Sequence, residues 1–139
     1  MKNKGALILI EQAVMLLVFA LAAVLCLRAF VWADTTSKEI TARDGALIQA
    51  QNAAETLKSC AGDLDAVADQ MGGIRDGAGW VVLYDESWNV TDEEHTYMLR
   101  AMPDRSGLAY LGRAKVSVYR GDSELTALEV CWQEVTDVE

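Results

Sequence analysis

The chain has 139 residues, enough for one domain, and 52% of them are hydrophobic, while 12 Lys and Arg stand against 21 Asp and Glu. The net charge of −9 argues against a nucleic-acid partner, because neutralising phosphates requires a basic surface. One His, three Cys and no glycine-rich phosphate loop leave few groups for catalytic or metal sites. We therefore predict neither an enzyme nor a bound cofactor or metal.

The hydrophobic content is concentrated near the start of the chain. Residues 13–27 are apolar and uncharged, and the surrounding stretch 6–33 is mostly apolar, interrupted by Glu11 and Arg28. As a helix, these 28 residues span about 42 Å, more than the ~30 Å hydrocarbon core of a bilayer. The sequence therefore predicts a transmembrane helix over residues 6–33.

The charges around this segment predict its orientation. Lys2 and Lys4 precede it, whereas the residues after Asp34 carry nine basic and 19 acidic side chains. The positive-inside rule places the N-terminus in the cytoplasm and the acidic remainder outside. Trp32 suits the outer headgroup layer, and Arg28 can extend along the helix surface toward it. We expect a single-pass membrane protein.

Glu11 is the unusual residue of this segment. A carboxylate placed deep inside an apolar membrane helix costs about 2.5–3.5 kcal/mol, and less near the interface. One interpretation is that Glu11 lies shallow enough to reach headgroups and water. The other is that a positive charge on another molecule pairs with it.

The N-terminal sequence resembles that of type IV pilins and pseudopilins over about the first thirty residues. Lys4 and Gly5 are followed by Ala6, four more apolar residues, Glu11 and a long apolar helix. The resemblance implies that a prepilin peptidase removes leader residues 1–5 between Gly5 and Ala6. It also implies that Glu11 attracts the freed amine of a neighbouring subunit when the helix leaves the bilayer for a filament. Other pilin-like subunits and an assembly platform are the implied partners, and a cell-surface filament is the implied destination.

Two features depart from the family pattern. After cleavage at Gly5, Glu11 is the sixth mature residue instead of the usual fifth, and the first is Ala6 instead of Phe. One additional residue moves the carboxylate by about 1.5 Å and rotates it by about 100°. Cleavage after Ala6 would restore the spacing but lose the preferred Gly, so we predict cleavage after Gly5.

Other interpretations of the N-terminal segment remain open. A secretory signal peptide would use residues 31–33 as its cleavage site, but Glu11 interrupts its apolar region and bulky Trp32 adjoins the bond. A lipoprotein signal through Cys26 is weaker, because Cys26 lies within the apolar run. A further alternative function is a membrane-anchored protein whose outer domain binds a partner without polymerising.

A polar helix is predicted to follow the membrane segment. Ile40, Leu47 and Ala54 recur at intervals of seven, and Ala50 and Leu57 fill the intervening spacing, so a narrow apolar stripe runs along the helix to about Lys58. This stripe needs a surface to cover it. We predict that this helix continues directly from the membrane segment; the alternative is a break near residues 34–37.

From Trp80 the periodicity changes from helical to the alternation of strands, and short links with turn residues favour an antiparallel meander. Alternate residues, such as those at 97, 99 and 101, would face the helix stripe. We therefore predict an α+β extracytoplasmic domain over residues 34–139, with the helix packed on a four-stranded sheet. The predicted strands cover residues 80–84, 96–102, 108–119 and 125–133.

An acidic passage, residues 85–95, joins the first two predicted strands. Its five carboxylates and His95 suggest a cation site, but a solvated hairpin tip is the favoured interpretation. Trp88 within this passage is a candidate contact for a neighbouring subunit, since Trp is over-represented at interfaces. Cys60 and Cys131 both fall outside the membrane segment, where a disulfide between them could persist, and sequence alone leaves that bond open.

Overall fold

The computed structural model describes residues 3–104 and 110–134. Within them, two helices are followed by five strands, so the predicted α+β class is confirmed. The elements are α1 (Asn3–Ser59), α2 (Leu64–Met71), β1 (Ile74–Asp76), β2 (Gly79–Tyr84), β3 (Tyr97–Asp104), β4 (Leu111–Arg120) and β5 (Ser123–Gln133). The strands form one antiparallel sheet in the order β1-β2-β3-β4-β5. The predicted meander is therefore confirmed, with five strands instead of four.

Helix α1 is continuous, so the prediction of an unbroken helix is confirmed and a break at residues 34–37 is wrong. The polar residues in this stretch are satisfied within the helix. The Thr35 hydroxyl donates to the carbonyl three residues earlier, at 2.9 Å. Lys38 pairs with Asp34 across one turn, with 2.8 Å between Nζ and Oδ2. Side chains that bond inside the helix do not end it.

The chain divides into two compact units, Met1–Ile40 and Thr41–Glu139. The boundary falls inside α1, several residues after the predicted end of the membrane segment at Ala33. The first unit consists of the apolar part of α1. The second unit holds the rest of α1, helix α2, the sheet and the hydrophobic core.

The face of α1 that packs on the sheet matches the predicted stripe in part, since Ala50, Ala54 and Leu57 are buried. Its buried residues are almost all alanines, whereas Ile40 and Leu47 remain 55% and 38% exposed. The alanines contribute little volume, and the sheet supplies large core side chains such as Trp80 and Leu99. Large apolar residues alone therefore mark this face of the helix only near its end, at Leu57. The buried residues of α1 are Ala42, Ala46, Ala50, Ala53, Ala54 and Leu57.

The sheet faces were predicted correctly. Tyr97, Leu99 and Ala101 of β3 are buried, and the alternate residues of β4 and β5 pack into the same core. Alternation is a reliable signal here because one face is covered and the other is open. The β4 and β5 residues are Ala114, Val116, Val118, Leu128, Val130 and Trp132.

Strand β1 was missed because three residues are too few to show a period of two. Glycines define its position: Gly73 has a φ of 90°, and a Cβ there would lie 2.3 Å from the Val81 carbonyl oxygen. The Trp80 indole donates from Nε1 to the Gly72 carbonyl at 2.9 Å, which fixes the chain ahead of β1. Gly77, with a φ of 59°, then reverses the chain into β2.

The C-terminus of α1 closes in a Schellman motif. The Gly62 amide donates to the Leu57 carbonyl at 2.9 Å, and the Ala61 amide donates to the Lys58 carbonyl at 3.1 Å. Ala61 occupies the left-handed position with a φ of 48°, where glycine is the preferred residue.

We expect Ala61→Gly to stabilise the second unit by about 0.5–1 kcal/mol, because glycine relieves the left-handed strain while adding some backbone entropy to the unfolded chain. The urea midpoint of the detergent-solubilised chain, followed by Trp fluorescence, measures the change. Ala66→Gly, in the interior of α2, is the control and should lower the midpoint. A lower midpoint for Ala61→Gly would contradict the assigned strain.

Candidate functional site

The first unit exposes a long apolar surface. Every large apolar side chain of α1 from Leu7 to Trp32 is at least 52% exposed. Helix α1 is long and apolar enough to cross a membrane. An uncovered apolar surface of this size requires a lipid bilayer or other apolar helices around it. The candidate functional site is this surface, which we call the apolar segment, residues 6–33.

Apart from the adjacent Gln12, Glu11 has only apolar neighbours in the apolar segment. The positions one turn before and after it hold Leu7, Ile8, Val14 and Met15, none of which can donate a hydrogen bond from its side chain. Its side chain is exposed on the helix surface. The helix therefore presents a carboxylate outward that its own neighbouring turns do not neutralise.

Gly5 has no structural reason to be glycine. It lies within α1 with a helical backbone, and a Cβ at this position would have no atom within 4 Å. A glycine inside a helix costs about 1 kcal/mol relative to alanine. Neither packing nor backbone conformation accounts for it, so folding does not explain the residue that precedes the predicted cleavage bond to Ala6.

Trp88 is half-buried and packs against the core of the second unit. Its indole stacks on the Tyr97 ring, with centroids 4.0 Å apart and planes 8° from parallel, and it also contacts Tyr84. A Cβ at Gly45 of α1 would lie 2.2 Å from Trp88 Nε1. Trp88 thus connects the acidic loop to the helix. Burial raises the pKa of neighbouring Tyr84 to about 12. A role for Trp88 at a subunit interface stays a prediction.

The disulfide between Cys60 and Cys131 that the sequence left open is not formed, and both residues are free thiols. Cys60 packs against the core near the end of α1, where its Sγ accepts from Gln70 Nε2 at 3.4 Å. Cys131 is exposed, and its neighbours Val130 and Trp132 pack into the core. Because side chains alternate along a strand, Cys131 points away from the face that contacts Cys60. Sequence spacing could not reveal this alternation relative to α1.

The acidic loop between β2 and β3 is organised by one of its own carboxylates. Asp85 Oδ1 accepts from the Ser87 amide at 2.8 Å and the Asn89 amide at 2.9 Å, and Oδ2 accepts from Asn89 Nδ2 at 3.1 Å. Bonding to Asn89, foremost from its side chain, lowers the pKa of Asp85. In the described residues no three His, Cys, Asp or Glu side chains converge, so the cation site suggested around His95 is not assembled.

Two carboxylates, one in this loop and one in β5, predict that the stability of the second unit decreases at acid pH. Asp85 has a lower pKa in the folded chain than when unfolded, and so does Glu124, whose carboxylate accepts from the Tyr119 hydroxyl at 3.1 Å. Their contribution is therefore fully present above the unfolded pKa, near 4, and is lost as the pH falls through the folded pKa. We expect a constant urea midpoint from about pH 7 to 5 and a decline below about pH 4. Asp85→Asn should make that decline shallower, and an unchanged slope would contradict the assignment.

Comparisons of the chain with known protein families, with curated proteins and with solved structures gave no match.

Proposed function

We propose that the chain is a structural subunit, minor in abundance, of a type IV pilus or of a secretion or DNA-uptake pseudopilus. It acts by assembly through its N-terminal helix and performs no catalysis. The observation that carries the proposal is the apolar segment with one outward carboxylate, Glu11, among apolar neighbours. The α+β unit that follows on the same helix is the part available for display outside the cell.

The membrane is the first environment of the apolar segment. A bilayer covers its exposed apolar side chains, and Lys2 and Lys4 keep the N-terminus in the cytoplasm. In this state the Glu11 carboxylate destabilises the inserted helix, because lipid tails offer it no hydrogen-bond donor. The cost decreases when a positive charge from another copy meets the carboxylate.

A bundle of such helices provides that charge. Two opposite charges that meet in a low-dielectric environment offset each other's desolvation, and the pair is retained only in the register where they touch. Glu11 therefore favours assembly over lipid solution and also selects one stagger between copies. An anchored protein that never polymerises has no use for such a group.

Gly5, which directly precedes the apolar segment, supports the same proposal. A small residue that folding does not require fits recognition by a prepilin peptidase, whose cut would free the amine of Ala6. We expect N-terminal sequencing of the chain extracted from native membranes to begin at Ala6. A chain that begins at Leu7 would place the cut after Ala6, and one that still begins at Met1 in cells with an active peptidase would contradict processing.

A further inference from the structure

The apolar segment contains a second charged residue, Arg28, of opposite sign to Glu11. Across residues 6–33 these are the only two Asp, Glu, Lys or Arg residues. They are seventeen residues apart, about 25 Å along the helix axis, so they cannot meet within one chain. The positions one turn away from Arg28 are Val24, Leu25, Val31 and Trp32, which include no carboxylate.

The acid closest to Arg28 in sequence is already engaged. Asp34 pairs with Lys38 at 2.8 Å, and it lies six residues from Arg28, on a different side of the helix. In a bilayer Arg28 can reach the headgroups. In a bundle of helices the headgroups are gone, and Arg28 needs an acceptor from another chain.

We propose that Arg28 of one copy binds Glu11 of another copy when the chains assemble. This inference rests on the proposed assembly function and names a counter-ion for Glu11 in addition to the freed amine. Copies that insert with the same orientation have parallel helices, so the pair requires a stagger of about 25 Å. A carboxylate accepts several hydrogen bonds, so one Glu11 can bind both a guanidinium and an amine.

The sequence is compatible with this stagger. With Glu11 beside Arg28, residues 6–16 of one copy lie beside residues 23–33 of the other. Apart from the pair itself and Gln12, every residue in both stretches is apolar. The contact therefore buries apolar surface on both copies and leaves no second charge without a partner.

A charge exchange tests the pair in native cells, using the amount of the chain in sheared extracellular filaments relative to membranes. We expect Arg28→Glu and Glu11→Arg each to reduce this ratio at least tenfold. The double variant Glu11→Arg with Arg28→Glu should raise the ratio above that of Glu11→Arg alone, although Arg at position 11 still repels the freed amine, and Arg28→Lys should retain the wild-type ratio. Equal membrane levels of all variants separate assembly from insertion.

Cross-linking measures the stagger without altering either charge. Val14→Cys and Val31→Cys, each one turn beyond a member of the pair, are combined in a Cys26→Ser background. These positions are also about 25 Å apart within one chain, so a bond between them joins two copies. We expect disulfide-linked multimers from the double-cysteine chain and none between the same positions when either is left as valine.

The possible results distinguish a failure of the Glu11–Arg28 pair from a failure of the proposed function. Wild-type levels of Arg28→Glu in filaments, or loss that the double variant does not repair together with no cross-link, would overturn the pair while leaving assembly intact. Absence of the wild-type chain from extracellular filaments would overturn the proposed function itself. Repair by the double variant, or the cross-link in wild-type charge background, supports the pair.

Discussion

Replacing Glu11 with Gln should reduce incorporation of the chain into filaments by at least about tenfold while leaving its amount in the membrane unchanged. Gln keeps the size of the side chain but removes the charge, so the attraction to a cationic group on another copy is lost. The cost of an unpaired carboxylate in lipid, about 2.5–3.5 kcal/mol at full depth, bounds what pairing can recover. Each 1.4 kcal/mol corresponds to a factor of ten in an equilibrium. Quantitative immunoblots of sheared filaments and of membranes measure both amounts.

The matched control is the same Glu-to-Gln substitution at a position outside the apolar segment. Glu86→Gln removes a carboxylate from the exposed acidic loop and should leave incorporation unchanged. Moving the charge by one residue away from the N-terminus, with Gln12→Glu in the Glu11→Gln chain, rotates it by about 100° and should not restore full incorporation. Normal incorporation of Glu11→Gln would contradict the role assigned to the carboxylate.

Replacing Gly45 with Ala should destabilise the second unit by about 1–3 kcal/mol, although the same change in an exposed helix is stabilising by about 1 kcal/mol. The added methyl group would lie 2.2 Å from Trp88 Nε1 and 2.5 Å from Cε2. The indole cannot move aside freely, because it stacks on Tyr97 at 4.0 Å. Urea unfolding of the detergent-solubilised chain, followed by Trp fluorescence, measures the difference.

A double-mutant cycle isolates this contact. In a Trp88→Leu background the space over Gly45 is larger, so Gly45→Ala should become neutral or stabilising. Asn52→Ala, at an exposed position of α1, controls for helix propensity and should be slightly stabilising. A higher urea midpoint for Gly45→Ala in the otherwise unchanged chain would show that Trp88 does not pack as described.

The sheet was predictable from sequence because its side chains alternate regularly. Leu99 and Val116 lie on the covered face and Lys115 on the open face, as a period of two requires. The continuity of α1 was also predictable, since it contains no proline and its polar residues can bond within the helix. The class α+β follows from these two signals.

The helix face that meets the sheet was only partly predictable from hydrophobicity, which marked the buried Leu57 but also the exposed Ile40 and Leu47. Alanines such as Ala46 and Ala50 carry little hydrophobic signal, and their burial depends on large residues that the sheet brings to them. The contacts of Trp132 could not be predicted from the sequence either. A Cβ at Gly62 or at Gly112 would lie 2.2 Å or 2.1 Å from its ring. No local pattern connects these three positions, which only the folded chain brings together.

The candidate site was predictable because its signal is local. Glu11 is conspicuous in an apolar run without any tertiary information, and Gly5 stands six residues before it in the sequence. The absence of a bond between Cys60 and Cys131 was not predictable, because it depends on which face of β5 Cys131 takes. Trp88 looked exposed for the same reason: its loop folds back on α1, which composition does not show.

Mass spectrometry of filaments sheared from native cells tests the proposed function most directly. We predict peptides of this chain in the filament fraction, with an N-terminal peptide that begins at Ala6 and contains Glu11. Full-length chain confined to the membrane fraction, still beginning at Met1 while other filament proteins are processed and exported, would contradict it.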